Sequence, residues 1–321
     1  MHISRNLSCA AIMTVVNLLS AAGQQIISLR AADAAAIGAL AGNEIYSATG
    51  LSVDRDGNAY VSDVLEYCVK KFNARGACVA RAGRRGSGPG EFVSPANSRL
   101  WNDTLLVLQV GDPRVQFFTR DLHYAGVVRV DDGMPIDVAV GPHGEMLVAT
   151  LGESSGQTLL LYPRRGAGAH RRIALGPTGK KNLLYTACRI GWSPDGTILV
   201  AYVYLNRVDL CNADGTLRRT LTIAGLHDQD QDAPGVELPE ETFFRGVAVD
   251  AHGLFYLLGG SCAQHPNAEV YVVSPEGVHR ATVVLPQETR LLAVNARGNL
   301  FGAAEEGTLV KKYVMGIGRH P

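Results

Sequence analysis

One four-residue reversal recurs along this 321-residue chain and constrains its fold more than any other feature. It reads DRDG at 54–57, GPHG at 141–144, SPDG at 193–196, DAHG at 250–253 and NARG at 295–298. WNDT at 101–104 is a variant, with Asp103 where glycine is expected. Gly57, Asp103, Gly144, Gly196, Gly253 and Gly298 therefore mark units of roughly fifty residues, the signature of a repeat architecture. In the first unit LSV, AYVS, CVKKF and CVARA are apolar β-type runs separated by DRDG, a DVLEY corner and NARG. Hairpin signals in this order predict four antiparallel strands per unit. No stretch between them sustains a 3.6-residue apolar period.

Six such units predict an all-β chain, a six-bladed β-propeller of four-stranded antiparallel blades. The ring has to close, because an open sheet edge invites pairing with other chains. The last unit supplies RLLAVNA, LFGAAEE and TLVKKYVM and then ends in GIGRHP, one strand short. QIISLRAA at 25–32 is one strand too many at the other end. The last blade is therefore expected to be closed by this N-terminal strand. A single domain over 23–321 would hold blades at 45–83, 93–130, 134–176, 186–223, 243–286 and 289–317 plus 25–32.

Residues 1–22 read as a signal peptide. A short front with one arginine precedes LSCAAIMTVVNLL, an apolar run of about a dozen residues, and Ser20-Ala21-Ala22 fits a small-x-small cleavage site. The run is too short for a membrane span, and no later stretch is long enough. The expectation is a periplasmic or secreted protein without a transmembrane segment. The 30 basic and 30 acidic side chains cancel, which argues against a general nucleic-acid binder.

The motifs DGNAYVSD, CVKKF, GSGPGEF and PRVQFF resemble NHL repeats, two blades closely and the other four loosely. The resemblance is to exported bacterial six-bladed propellers of NHL type, which include binding modules and a few enzymes. GLSVDRDGNAYVSDV also resembles the amidating peptidyl-hydroxyglycine lyases, which imply a metal-binding histidine just before GLSVD. Thr49 stands there, and Pro95, Ile136, Cys188, Arg245 and Arg290 are predicted equivalents, none of them histidine. Gluconolactonase-type propellers imply carboxylates and asparagines at the inner-strand mouths, where only Asp137 qualifies. No cofactor is expected.

The motif hits read mostly as architecture. GRRGSGPGEFVSP at 83–95 lacks the Lys-Ser/Thr of a phosphate loop and precedes no helix, so it is predicted to connect blades one and two. GESSG at 152–156 matches a nucleophile-elbow pattern but lies between two strands rather than on a strand-to-helix turn. His143 and His252 share turn positions with Asp56, Asp195 and Arg297, which indicates turn chemistry. Cys68, Cys78, Cys188, Cys211 and Cys262 show no zinc spacing. Cys188 and Cys262 fall on one predicted face, where a disulfide is an option; buried thiols are the default elsewhere. Asp228, Asp230 and Asp232 alternate like the start of a calcium loop, in a long connection over 224–245 that lacks the later ligands and otherwise reads as an acidic lid.

What remains at the channel mouth is basic. Arg245 and Arg290 share one register in consecutive blades, and Arg189 lies one residue along in the blade before. Arginines beside a low-dielectric channel mark either internal ion pairs, with Asp137, Glu240 and Glu241 as partners, or an anion site. With Asp137 they form the candidate ligand-binding set. The sequence thus predicts a binding module for a partner protein or a small anionic ligand. The alternative is a metal-independent lyase or hydrolase using the same channel.

Overall fold

The recurrent reversal is built the same way in most units. In the first, Asp54 Oδ1 accepts the backbone N–H groups of Asp56 and Asn58, both at 2.9 Å. Asp250 accepts those of His252 and Leu254, and Asn295 those of Arg297 and Asn299. Asp and Asn side chains favour such turns because they replace backbone partners locally. The glycine that follows adopts a φ between 74° and 90° at Gly57, Gly144, Gly196, Gly253 and Gly298, a region open to residues without Cβ. His143 and His252 sit in turns, as expected, with their amide nitrogens held by Glu145 and Asp250. The second unit differs. Trp101 pairs directly with Thr104, and Asn102 rather than Asp103 takes the positive φ, at 50°. The turn there is shorter than in the other units, so alignment on Asp103 places this blade out of step.

The computed structural model describes residues 25–31, 36–39, 41–151, 158–164, 170–176, 183–226, 239, 241–261 and 268–315. The predicted signal segment, GESSG, Asp228, Asp230, Asp232, Glu240 and Cys262 lie outside these residues. Within them the chain is a six-bladed β-propeller of four-stranded antiparallel blades. The innermost strands are Ala48–Val53, Pro95–Trp101, Met134–Val140, Cys188–Trp192, Phe244–Val249 and Thr289–Val294. Each packs against the next, and the last against the first. Among the described residues no helix is long and apolar enough to cross a membrane.

Burial follows strand order. The second strands, such as Ala59–Asp63 and Phe255–Gly259, are wholly buried, because both of their faces meet neighbouring blades. The outermost strand Tyr124–Arg129 is exposed along most of its length. Apolar side chains collect in six clusters, one at each interface between adjacent blades. Tyr60 and Tyr256 are fully buried, yet each hydroxyl donates to the Asp that starts its own turn, Asp54 and Asp250. Burial of each such ring stabilises by about 1.5–3 kcal/mol, and the hydroxyl is not left unpaired.

The GRRGSGPGEFVSP segment is a connector, running from the outer strand Cys78–Ala82 to the inner strand Pro95–Trp101. Phe92 is its anchor, fully buried and stacked on Phe118. Gly83 has φ 103°, and a Cβ there would lie 2.5 Å from the Phe92 ring. Arg114 donates to the Ser87, Gly88 and Glu91 carbonyls, which leaves the arginine of the next blade holding the loop.

The N-terminal strand Gln25–Ala31 closes the ring in two halves. Leu29–Ala31 pairs antiparallel with Leu309–Met315, the expected closure of blade six. Gln25–Ser28 pairs parallel with Ala281–Val284 on the outer strand of blade five, which sequence reasoning did not anticipate. One strand thereby covers two edges and fuses blades five and six into an eight-stranded sheet. Deleting residues 24–33 should expose both edges, lower stability by on the order of several kcal/mol and promote self-association. Thermal melting and size-exclusion chromatography check this. A truncated protein that melts like the full chain and stays monomeric would refute the latch.

Candidate functional site

The inner strands begin at one end of the ring, and there most of them bulge. In blade five Phe244 pairs with Gly259 and Gly246 with Leu258, so Arg245 is the extra residue. In blade six Thr289 pairs with Ala304 and Leu291 with Ala303, which leaves Arg290 extra. Thr49 and Ile136 hold the same position in blades one and three. In blade two the register shifts across Ala96 and Asn97, so these replace the predicted Pro95. A bulge bends the strand and re-aims the unpaired side chain. Here all of these residues face one cavity of about 600 Å³ at the channel mouth. Blade four has no bulge. Arg189, paired across the ladder with Ala201, reaches the cavity from there, beside the predicted Cys188.

Arg189, Arg245 and Arg290 therefore converge, and a fourth arginine, Arg99, lines the same space. No acidic side chain lines it among the described residues. Arg189 donates to backbone carbonyls on both sides, Ile136 at 2.6 Å and Arg245 at 3.0 Å. Arg290 approaches the Glu306 carbonyl, at 3.4 Å. Among the described residues Arg245 has one carboxylate contact, Glu288 at 3.8 Å, and that Glu288 side chain is 62% exposed. A pair so open to water contributes little. Burial, then Arg290 and Arg189, pull the Arg245 guanidinium below the usual arginine range, with Glu288 opposing.

Asp137 does not pair with any of these three. It is fully buried below the mouth, where Arg99 Nη2 approaches its Oδ1 at 3.3 Å. The same oxygen accepts from the Asn97 amide and from Val138 N–H at 2.8 Å, while Oδ2 accepts Ile190 N–H at 2.9 Å. A buried carboxylate with this many donors is satisfied, which is the condition for burying charge at all. Arg99 also reaches across the ring to the Val247 carbonyl at 3.3 Å. It lines both the mouth cavity and a smaller one of about 170 Å³ beneath, so it stands as a bar across the channel. Blades two, three, four and five are tied through this one group of contacts.

Arg99 escaped sequence reasoning, although PANSRLW carries a signal. It is an arginine in mid-strand, where Leu51, Val247 and Leu292 occupy the same stretch of channel in other blades. Among the described residues no group of three or more His, Cys, Asp or Glu side chains is arranged to hold a metal ion. No histidine lines the mouth cavity there either. Cys188 is buried at the start of its strand.

Removing the buried Asp137 while the partly buried Arg99 stays should be costly. Asp137→Ala is expected to lower stability by about 3–5 kcal/mol in denaturant unfolding. Combined with Arg99→Ala, the loss should fall short of the sum of the single losses by about 1–3 kcal/mol. Additive losses would show that the two side chains do not act as a unit.

No protein-family model matches the chain, and no curated protein does. Solved structures do. Regucalcin of Agrobacterium tumefaciens, described as a calcium-binding protein, is 15% identical, with 90% of this chain and 97% of that one covered at a TM-score of 0.57. Virginiamycin B lyase of Staphylococcus aureus is 10% identical over 85% of each chain at a TM-score of 0.53. The β-propeller domain of Swd1 from Myceliophteria thermophila is 14% identical over 85% of this chain and 98% of that one, also at 0.53. At such identities the likeness is one of fold, and the fold shared is the β-propeller.

Proposed function

We propose that the chain is a binding module whose channel mouth takes a small anion. One observation carries the reading: four arginines line a cavity of about 600 Å³ that no acidic side chain among the described residues enters. Of the predicted internal partners, Asp137 pairs with Arg99 below; among the described residues Arg189 and Arg290 reach carbonyls, and Arg245 reaches the exposed Glu288 carboxylate at 3.8 Å. Guanidinium groups that already hold carbonyls keep further donors for a carboxylate or phosphate, and their planar fork suits both. The set then comprises Arg189, Arg245 and Arg290 as ligand contacts, with Asp137 as the group that fixes Arg99 beneath them. On the sequence motifs the module is of NHL type. On the reading of residues 1–22 it works in the periplasm or outside the cell.

A lyase or hydrolase is the second reading, and the likeness to virginiamycin B lyase favours it. A histidine-to-alanine variant of that enzyme is described as catalytically inactive. The cavity described here offers arginines where a general base is wanted, which favours binding over turnover. The calcium-binding description of regucalcin raises the question of metal at this mouth as well. Its lining holds four arginines, apolar side chains and a few neutral polar groups such as Thr49, Asn97 and Thr242, with no carboxylate among the described residues, and is unsuited to a divalent ion, which takes oxygen ligands. Chelator should accordingly leave the melting temperature unchanged, and elemental analysis should find no stoichiometric zinc. One tightly held transition metal per chain would revive the enzyme reading.

The anion reading separates the three arginines. Arg245→Ala and Arg290→Ala relieve mutual repulsion, so melting should be unchanged or raised, while protection by phosphate or citrate is lost. Arg189→Ala should also lower stability by about 1–3 kcal/mol, because it leaves two inter-blade carbonyls without their donor. In the native protein an anion at about a hundred times its Kd should add about 2.7 kcal/mol. Melting curves with and without anions read all of this. A native protein indifferent to every anion, with all three variants destabilised, would end the proposal.

A further inference from the structure

The lining of the mouth cavity is not uniform around the ring. Its rim arginines come from blades four, five and six, as Arg189, Arg245 and Arg290. Large apolar side chains are most numerous on blades three and four, as Met134, Ile136, Leu151, Leu184 and Tyr204, with Val110 beside them on blade two; Leu51, Val247, Leu291 and Leu292 add apolar surface on blades one, five and six. Met134 is 47% exposed, an apolar side chain held open to the mouth. Tyr204 is steadied by an edge contact with Tyr185 at 6.5 Å between ring centroids. A fully hydrated inorganic anion would use the arginine arc and leave this apolar surface wet.

Resting on the anion-site reading, we infer that the ligand is an organic acid with an apolar body, its acid group on the arginine arc and its body against the apolar side chains of blades two to four. A cavity of about 600 Å³ is of the size that encloses such a molecule, and mostly apolar walls with a few convergent polar groups are the usual composition of small-molecule sites. Arg99 forms the floor, and the Asp137 and Val247 contacts hold it in place, so the body lies across the mouth rather than down the channel. The apolar arc contributes affinity through area removed from water, and the arginines contribute orientation and charge selection. These two contributions are separable by experiment.

Calorimetric titration at fixed ionic strength with phosphate, butanoate, hexanoate, octanoate and the neutral octanamide tests the inference. Affinity should rise about threefold to fourfold per added methylene along the carboxylates. Octanamide should bind at least tenfold more weakly than octanoate. Met134→Gln, at a half-exposed position, should flatten the chain-length dependence and leave phosphate binding unchanged. Arg290→Gln, also exposed, should weaken every anion. Carboxylates that bind no better as they lengthen would overturn the amphipathic inference while leaving the anion site standing. Octanamide binding as tightly as octanoate would overturn the anion reading and the inference with it. No binding by any of the five would remove both.

Discussion

A four-stranded blade has two apolar faces and no interior of its own, so each blade depends on a neighbour at either side. This requirement organises the molecule. Six apolar clusters lie between six blades, and an open arc would leave one of them without its second side. Closure rests on Gln25–Ala31, the strand of blade six that comes from the N-terminal end of the chain. By pairing parallel with blade five and antiparallel with blade six, that strand spreads the strain of closure over two edges. The seam is therefore a continuous sheet, while the other junctions rely on side-chain packing between separate sheets.

Closing the ring also brings six inner strands to one axis, where side chains must share little space. Apolar residues fill most of it, and the exception is a charge pair of the fully buried Asp137 with the partly buried Arg99. Asp137 accepts from blade two and from the blade-four backbone, and Arg99 continues to blade five. A buried pair of this kind contributes little net stability over apolar packing, because desolvating both charges is costly. Its effect lies in geometry. It holds four blades in a set relation immediately below the mouth, and the side chains above inherit that rigidity.

Much of the architecture was legible because it depends on local chemistry. Asp54, Asp250 and Asn295 cap their own turns, and the glycine after each supplies a positive φ, so periodicity in these residues marks blades directly. Blade two was misaligned because Asn102 adopts that conformation itself and the turn has two residues between paired strand ends where blades one and three have five. The mouth was legible only in part. Arg245 and Arg290 share a position through bulges, and a bulge is a property of strand pairing that no single strand announces. Asp137 was expected among the mouth arginines; its true partners, Arg99 and the Ile190 amide, belong to two other blades. The parallel pairing of Gln25–Ser28 likewise depends on where the outer edge of blade five lies in space, and nothing within QIISLRAA encodes it.

The contrast between the two groups of arginines is the last step. Arg99 has a carboxylate and carbonyls within reach, and its charge is neutralised where water is scarce. Arg189, Arg245 and Arg290 lie a short way above, with carbonyls and one exposed, distant carboxylate. Burial and repulsion from Arg290 and Arg189 act against the charge on Arg245. Substitution by neutral residues would remove that cost, and nothing in the inner-strand bulges requires arginine, since Thr49 and Ile136 occupy equivalent positions. Proteins keep such locally unfavourable groups where activity depends on them. On the binding reading, the anion supplies the charge that the fold withholds, above a floor that Arg99 and Asp137 hold in place.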